Sequence, residues 1–459
     1  MKRECTLSVL ALALFLVLVP AVRAEQWTGG DLTLERAVAL ALERNLGYAT
    51  ANLTAESATS ATRQSGDKLQ PQVTVGGTYD RQLADEGSGP QVTVTATQQY
   101  VGLAPALAVP GHPLPLGPVA LAKLAEEQAR GRADEARQTL VFNVTQAYFN
   151  VLKAARLKDV QRAALASSEA ARKDTSAKVT GGTATRVDLL KAEMGVANAE
   201  LAVLKADNAY ATAESAFFTL LALDPPATPI AYAPAPETPE PDGTLEALTT
   251  QALERRSDVA DARLALDKAV SQQNQAELAA LPTLTLDAGL SGEKYDLSSS
   301  WEPVTGTLSW EASAYTVKPS APGSSRTSSA SDDWTIGVSV TYPLYNAGVL
   351  RESALQAKLQ TAQAKNTLEQ SRAAAAMEVQ TAWQELQEAK LTVGTARKAV
   401  GQSAEALRLT RLRVDNGVGT PADLLEAIAT DLQTQVSLVQ AEYAQQLAVV
   451  KLKKAVGLL

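Results

Sequence analysis

The chain has 459 residues, 46% of them apolar and 20% charged, so it is no disordered tail. One Cys and one His exclude a disulfide framework, a zinc finger and a Cys/His catalytic centre. A formal charge of -8 with no long basic run argues against nucleic-acid binding.

Lys2 and Arg3 precede an apolar run from Leu7 to Val19, which ends at Pro20 and the small-residue site Val22-Arg23-Ala24. A charged start, a short apolar run and small residues before the cut define a secretory signal. Residues 1–24 are therefore expected to be removed. The run is shorter than the roughly 20 residues a spanning helix needs. Cys5 lies ahead of it, so it cannot anchor a lipid at the cleavage site and leaves with it.

Beyond residue 24 the chain carries an internal repeat. Thr33-Leu34-Glu35 and Ala41-Leu42-Glu43-Arg44 return as Thr244-Leu245-Glu246 and Ala252-Leu253-Glu254-Arg255, and Pro71 returns as Pro282, an offset of 211 (33 to 244). Asp188-Leu189-Leu190 returns as Asp423-Leu424-Leu425 at offset 235 (188 to 423). The growth in offset, 235 less 211, places an insertion of 24 residues in the second half. The Ser-rich stretch Ser298–Ser331 is read as its site, a long loop between two strands. The expected domains are the first repeat over 25–223, a Pro-rich linker over 224–242 and the second repeat over 243–459.

Each repeat opens with a helical segment, Asp31–Gly66 and Gly243–Ala280. A pair of strands comes next in each: Pro71–Asp80 with Gln91–Val101, then Pro282–Leu290 with Asp333–Tyr342. In all four, apolar residues alternate with small or polar ones. This is the pattern of a membrane β-barrel strand and also of a sandwich sheet with one buried face. Long helices run over Pro118–Lys178 and Asn346–Arg413, dense in Ala, Leu, Gln, Glu, Lys and Arg and without internal Pro. At 1.5 Å per residue they are rods of roughly 90–100 Å, which calls for coiled-coil packing. Gly-containing turns at Thr180–Thr183 and Asn416–Thr420 lead into closing helices. Four strands cannot close a barrel in a membrane, where the smallest have about eight. Strands placed in a membrane therefore require an oligomer.

Three segments resemble the TolC-like outer-membrane channel family of tripartite efflux and type I secretion systems. They are Leu32–Asn45, Val338–Gly348 and Val418-Gly419-Thr420 followed by Asp423-Leu424-Leu425. The resemblance implies a mainly α fold with a transmembrane β-barrel contribution. Long coiled-coil helical hairpins form a periplasmic α-barrel, and a homotrimer gives a 12-stranded outer-membrane barrel, four strands per chain. It also implies a passive duct for small molecules or polypeptides, in contact with outer-membrane lipid. A periplasmic adaptor and an inner-membrane transporter would be its partners, docking at hairpin tips formed by Gly181, Gly182, Thr183, Val418, Gly419 and Thr420. By resemblance, Asp423 and Glu426, and more weakly Asp188, match an acidic constriction. Two features depart from the family pattern: the Pro- and Gly-rich passage Leu103–Pro118, and Pro421 where a basic residue is usual.

The tip has a plainer reading as well. Thr420 suits an N-cap, Pro421 the first helical position, and Asp423 the closing member of a capping box; Thr185 and Asp188 repeat the spacing. Asp423 and Glu426, at i and i+3, share a helix face. Three copies around an axis would ring the tip with carboxylates, favouring cations. His112, alone between Gly and Pro, has no partner for a metal. No nucleophile elbow or phosphate loop is present, and neither an enzyme nor a cofactor is expected. A second reading is a soluble periplasmic adaptor or scaffold of coiled-coil hairpins; the duplication and the strands weigh against it.

Overall fold

The computed structural model describes residues 32–79, 90–101, 116–224, 230–234, 239–292, 295–302, 307–315, 333–342 and 348–459. The leader 1–24, His112 and most of the passage 103–118 lie outside them.

The repeat is legible in the elements. Helix α1 (Leu34–Arg44) and α5 (Leu245–Arg255) each have 11 residues; α2 (Leu46–Asp67) and α6 (Ser257–Leu278) each have 22. Each opening segment, expected as one helix, is two. Asn45 (φ -70°, ψ 118°) and Arg256 (φ -70°, ψ 131°) adopt extended backbone and break the ladder at equivalent places. The side chains of Thr33 and Thr244 cap α1 and α5, accepting from the amides of Arg36 and Ala247. The long helices are α3 (Pro118–Thr180) and α7 (Val349–Asp415), and the closing ones α4 (Arg186–Leu220) and α8 (Pro421–Val456).

Two compact units share this chain. One comprises residues up to 45 with 144–236 and 396–443; the other comprises 46–143, 237–395 and 444–459.

The first unit holds the turn ends of both long hairpins. Arg162 on α3 pairs with Asp207 on α4 at 3.3 Å, and Arg397 on α7 pairs with Glu442 on α8 at 3.1 Å. The second pair is the first displaced by 235 residues, so the duplication reaches individual ion pairs. An aromatic cluster of Tyr148, Phe217, Phe218 and Tyr232 sits at the far end of the first hairpin. The Tyr148 hydroxyl donates to the carbonyls of Leu32 (2.9 Å) and Ala233 (2.6 Å), and burial pushes its pKa up to about 12. The Leu32 amide donates to the Ala231 carbonyl at 3.0 Å. Part of the Pro-rich stretch is thus bound to the start of the first repeat.

The second unit combines helices with a single antiparallel sheet. All four expected strands are present: β1 (Gln72–Tyr79), β2 (Pro90–Val101), β3 (Thr283–Ser291) and β6 (Asp333–Thr341). The stretch expected to be a loop, Ser298–Ser331, contains strand wherever the structure describes it, and residues 303–306 and 316–331 lie outside the described residues. Strands β4 (Tyr295–Glu302) and β5 (Thr307–Tyr315) occupy its first half and extend ahead of it, so the sheet has six strands in the order β1-β2-β5-β4-β3-β6. Its serines disguised the period-two pattern, which Leu308, Trp310, Ala312 and Ala314 nonetheless keep.

The register sorts the two faces. One row across all six strands reads Val73, Ala96, Ala312, Leu297, Leu290, Trp334. The adjacent row reads Gln72, Thr97, Glu311, Ser298, Gly289, Thr335. Successive side chains point to opposite faces, so one face is mainly apolar, with Gln98 and Ser299 among its members, and the other polar. Trp334, Ile336, Val338 and Val340 on the apolar face are 65% to 74% exposed, too open for a sandwich core within this chain.

Helix packing in this unit centres on Leu248, Ala252, Val379, Leu386, Leu452 and Val456. Beside it, Arg256 donates twice to Asp258 (2.8 and 3.0 Å), to Glu378 (2.6 Å) and to the Ala455 carbonyl (3.2 Å). Burial works against the Asp258 charge, but the Arg256 guanidinium outweighs it and holds that carboxyl below the usual range. Among the described residues, no helix is long and apolar enough to cross a membrane.

Candidate functional site

The residues expected to act lie at the two turns of the first unit, and the turns are copies. At the end of α3 the Thr183 amide donates to the Lys178 carbonyl (2.8 Å) and the Gly182 amide to the Val179 carbonyl (3.1 Å). At the end of α7 the Val418 amide donates to the Arg413 carbonyl (2.9 Å) and the Gly417 amide to the Val414 carbonyl (3.2 Å). This paired pattern is a Schellman ending, which needs a left-handed residue. Gly182 and Gly417 supply it, each at φ 74°.

Each turn then starts the next helix with a capping box. The Thr185 hydroxyl accepts from the Asp188 amide (3.2 Å), and the Asp188 carboxylate accepts from the Thr185 amide (3.0 Å) and hydroxyl (2.6 Å). Thr420 and Asp423 repeat the exchange, at 3.2 Å and 3.0 Å. These bonds stabilise the ionised form. The Thr185 hydroxyl leads in holding Asp188 below its ordinary range, and the Thr420 amide does the same for Asp423.

Asp423 and Glu426 are both exposed, on the side of α8 away from the buried Leu424 and Ile428. Leu424 and Ile428 pack with Ala171 and Val414. Gly181, Gly182, Thr183, Val418 and Thr420 are exposed; Gly419 is half-buried and approaches Val414 so closely that a Cβ would meet its Cγ2 at 2.9 Å. The two turns are tied together: Lys178 Nζ donates to the Val414 carbonyl at 3.0 Å and lies 3.8 Å from Asp415. Among the described residues, no group of three or more His, Cys, Asp or Glu could hold a metal ion. Asp188, Asp423 and Glu426 therefore form no metal cluster within one chain.

Sequence reasoning passed over two features. Lys178 is one; a basic residue in the last helical turn was its signal. The other is Asp431, 8% exposed, whose carboxylate accepts from the Ser403 hydroxyl (2.8 Å) and the Gln435 amide (2.7 Å) between α7 and α8. Its position, seven residues after Leu424 on the buried face, marked it as a polar group in an apolar stripe.

Duplicated helical hairpins in a chain that also carries an antiparallel sheet with an open apolar face suit a membrane channel protein. The outer membrane efflux protein family model matches residues 37–223 and again 248–458. The chain belongs to that family and is an outer-membrane efflux channel. It is 26% identical over 442 residues to outer membrane protein OprJ of Pseudomonas aeruginosa, spanning 93% of this chain and 84% of that one. It is 24% identical over 225 residues to outer membrane protein TolC of Escherichia coli, spanning 49% and 41%. The solved structure of outer membrane protein VceC of Vibrio cholerae shares the fold: TM-score 0.69 at 17% identity, covering 92% of this chain and 96% of that one.

Proposed function

We propose that three copies of this chain form a passive duct serving a tripartite efflux pump or a type I secretion system. It carries small molecules or polypeptides from an inner-membrane transporter to the outside. The observation that carries this reading is the pair of neighbouring rows across the sheet, one apolar throughout and one of polar residues and glycine. The apolar row suits lipid and the polar row suits a water-filled lumen. Six strands are fewer than the roughly eight of the smallest membrane barrels, so the wall needs further copies.

Residues 1–24 act as a leader cleaved after Ala24. A periplasmic adaptor docks at Gly181, Gly182, Thr183, Val418, Gly419 and Thr420, whose backbone hydrogen bonds are met within each turn and whose outer surfaces are left for a partner. Asp423 and Glu426, with Asp188 in a lesser role, line the narrow end as a ring of carboxylates. In one chain the Thr420 amide holds Asp423 low; like charges brought together around an axis oppose that and attract cations.

Reversal potentials in a planar bilayer test the ring. Asp423→Asn with Glu426→Gln should reduce cation selectivity and weaken block by multivalent cations while the trimer persists. Unchanged potentials would leave the capping box as the whole role of Asp423. Membrane fractionation tests the larger reading, since a protein recovered without detergent would not be a channel.

A further inference from the structure

We propose that Asn416 is a site of spontaneous deamidation, and that its conversion to a carboxylate loosens the turn between α7 and α8.

Ten asparagines occur in the chain, and Asn416 alone precedes a glycine. Deamidation begins when the backbone nitrogen of the following residue attacks the side-chain carbonyl carbon, and a side chain on that residue hinders the approach. Gly417 has none, and a Cβ placed on it would meet nothing within 4 Å, so the flank of the attacking nitrogen is open. Asn416 and Gly417 are both exposed. Two hydrogen bonds hold the reacting groups apart from each other. The Gly417 amide donates to the Val414 carbonyl at 3.2 Å, against 2.9 to 3.0 Å for the amides of Asn416, Val418 and Gly419. The Asn416 side-chain amide donates to the Leu412 carbonyl at 2.8 Å. Exposed helix ends open locally at little cost in free energy, which frees both groups. The matching turn after α3 carries Gly181 and Gly182 at the equivalent places (416 and 417 less 235), so this chemistry belongs to one turn of the two.

The atoms balance. The Gly417 nitrogen gives its proton to water or hydroxide and bonds to Asn416 Cγ, and Nδ2 leaves as ammonia, closing a succinimide. Water then adds to either imide carbonyl. Opening on the side-chain side gives aspartate. Opening on the backbone side gives isoaspartate, whose main chain runs through Cβ.

Either product suits this place badly. A carboxylate cannot donate, so the bond to the Leu412 carbonyl is lost. Its charge lies at the C-terminal end of a 67-residue helix, where the dipole is already negative. It also stands next to Asp415, which lies 3.8 Å from Lys178 and gains a like-charged neighbour. Isoaspartate inserts an extra carbon into the main chain, and the Schellman bonds around Gly417 lose their register.

The full chain in detergent, aged at neutral and at alkaline pH, provides the test. Peptide mass spectrometry would follow Asn416 against the nine other asparagines, and an isoaspartyl methyltransferase would mark the isoaspartate. Conversion at Asn416 should outrun the others, rise with pH and fall away in Asn416→Gln. An Asn416 that stays intact in the folded chain but converts in urea would overturn the proposal, because the turn would then shield the amide. Hydrogen exchange tests the consequence. Asn416→Asp should lose protection at residues 412–419, with a smaller loss at 179–184; protection equal to that of the wild type would overturn the loosening.

Discussion

Asp431 and Arg256 show what single side chains do in this protein. Asp431 is buried between α7 and α8, its carboxyl accepting from the Ser403 hydroxyl and the Gln435 amide. Asp431→Ala takes the acceptor from both; the Ser403 hydroxyl keeps the Val400 carbonyl at 3.1 Å and Gln435 is half-buried, so the cost should sit near the lower end of the about 1–3 kcal/mol of a buried unsatisfied group. Chemical denaturation should show that loss, and Ser403→Ala, which removes one donor and keeps Gln435, should cost less. Arg256→Met removes the cross-link from α6 to α7. Because Asp258 and Glu378 keep contact with water, the expected cost is about 1–2 kcal/mol. It should depend on pH with a definite sign. Asp258 is held below its unfolded value, so its contribution is complete above about pH 4 and fades as pH falls through the lowered value. Denaturation midpoints of wild type and Arg256→Met should therefore converge in acid; a constant gap down to the lowest pH would place the effect in packing instead.

Among elements, the turns make the sharpest case. Gly182 and Gly417 share φ 74° at equivalent places, and Ala in the left-handed region costs about 1 kcal/mol. Gly182→Ala and Gly417→Ala should lower stability by similar amounts, a symmetry hydrogen exchange at residues 179–184 and 414–419 would reveal. The helices and turns were readable because their signals are dense. Thr420, Pro421 and Asp423 specify a helix start within four residues, and the long helices lack breakers. The breaks at Asn45 and Arg256 were not readable, since neither residue forbids helix. Nor was the β4–β5 hairpin: Ser298, Ser299 and Ser300 favour turns by composition, and β5 pairs on its other side with β2, 206 to 222 residues earlier (307 less 101, 315 less 93). At the site, the caps were legible and the Lys178 link was not, because it joins two halves of the chain.

For the whole molecule, the proposed trimer makes a prediction of mass. With the proposed leaders removed, a folded, detergent-solubilised particle should have the mass of three 48.2 kDa chains less residues 1–24 of each. A folded monomer would count against a closed barrel, since six strands leave the sheet open.

The unit that carries the sheet is assembled from three separate lengths of chain, and the last is residues 444–459. Leu452 and Val456 fill the same core as Leu248 and Ala252, some 200 positions earlier, and Arg256 closes on the Ala455 carbonyl. Contacts this distant carry the cost of closing a long loop before anything stabilises it. During synthesis, then, the sheet-bearing half has no completed core until residues 444–459 have left the ribosome. A protein bound for the outer membrane must first be threaded, unfolded, across the inner one. Here the order of the sequence puts the closing contacts of that core at residues 444–459, among the last to become available.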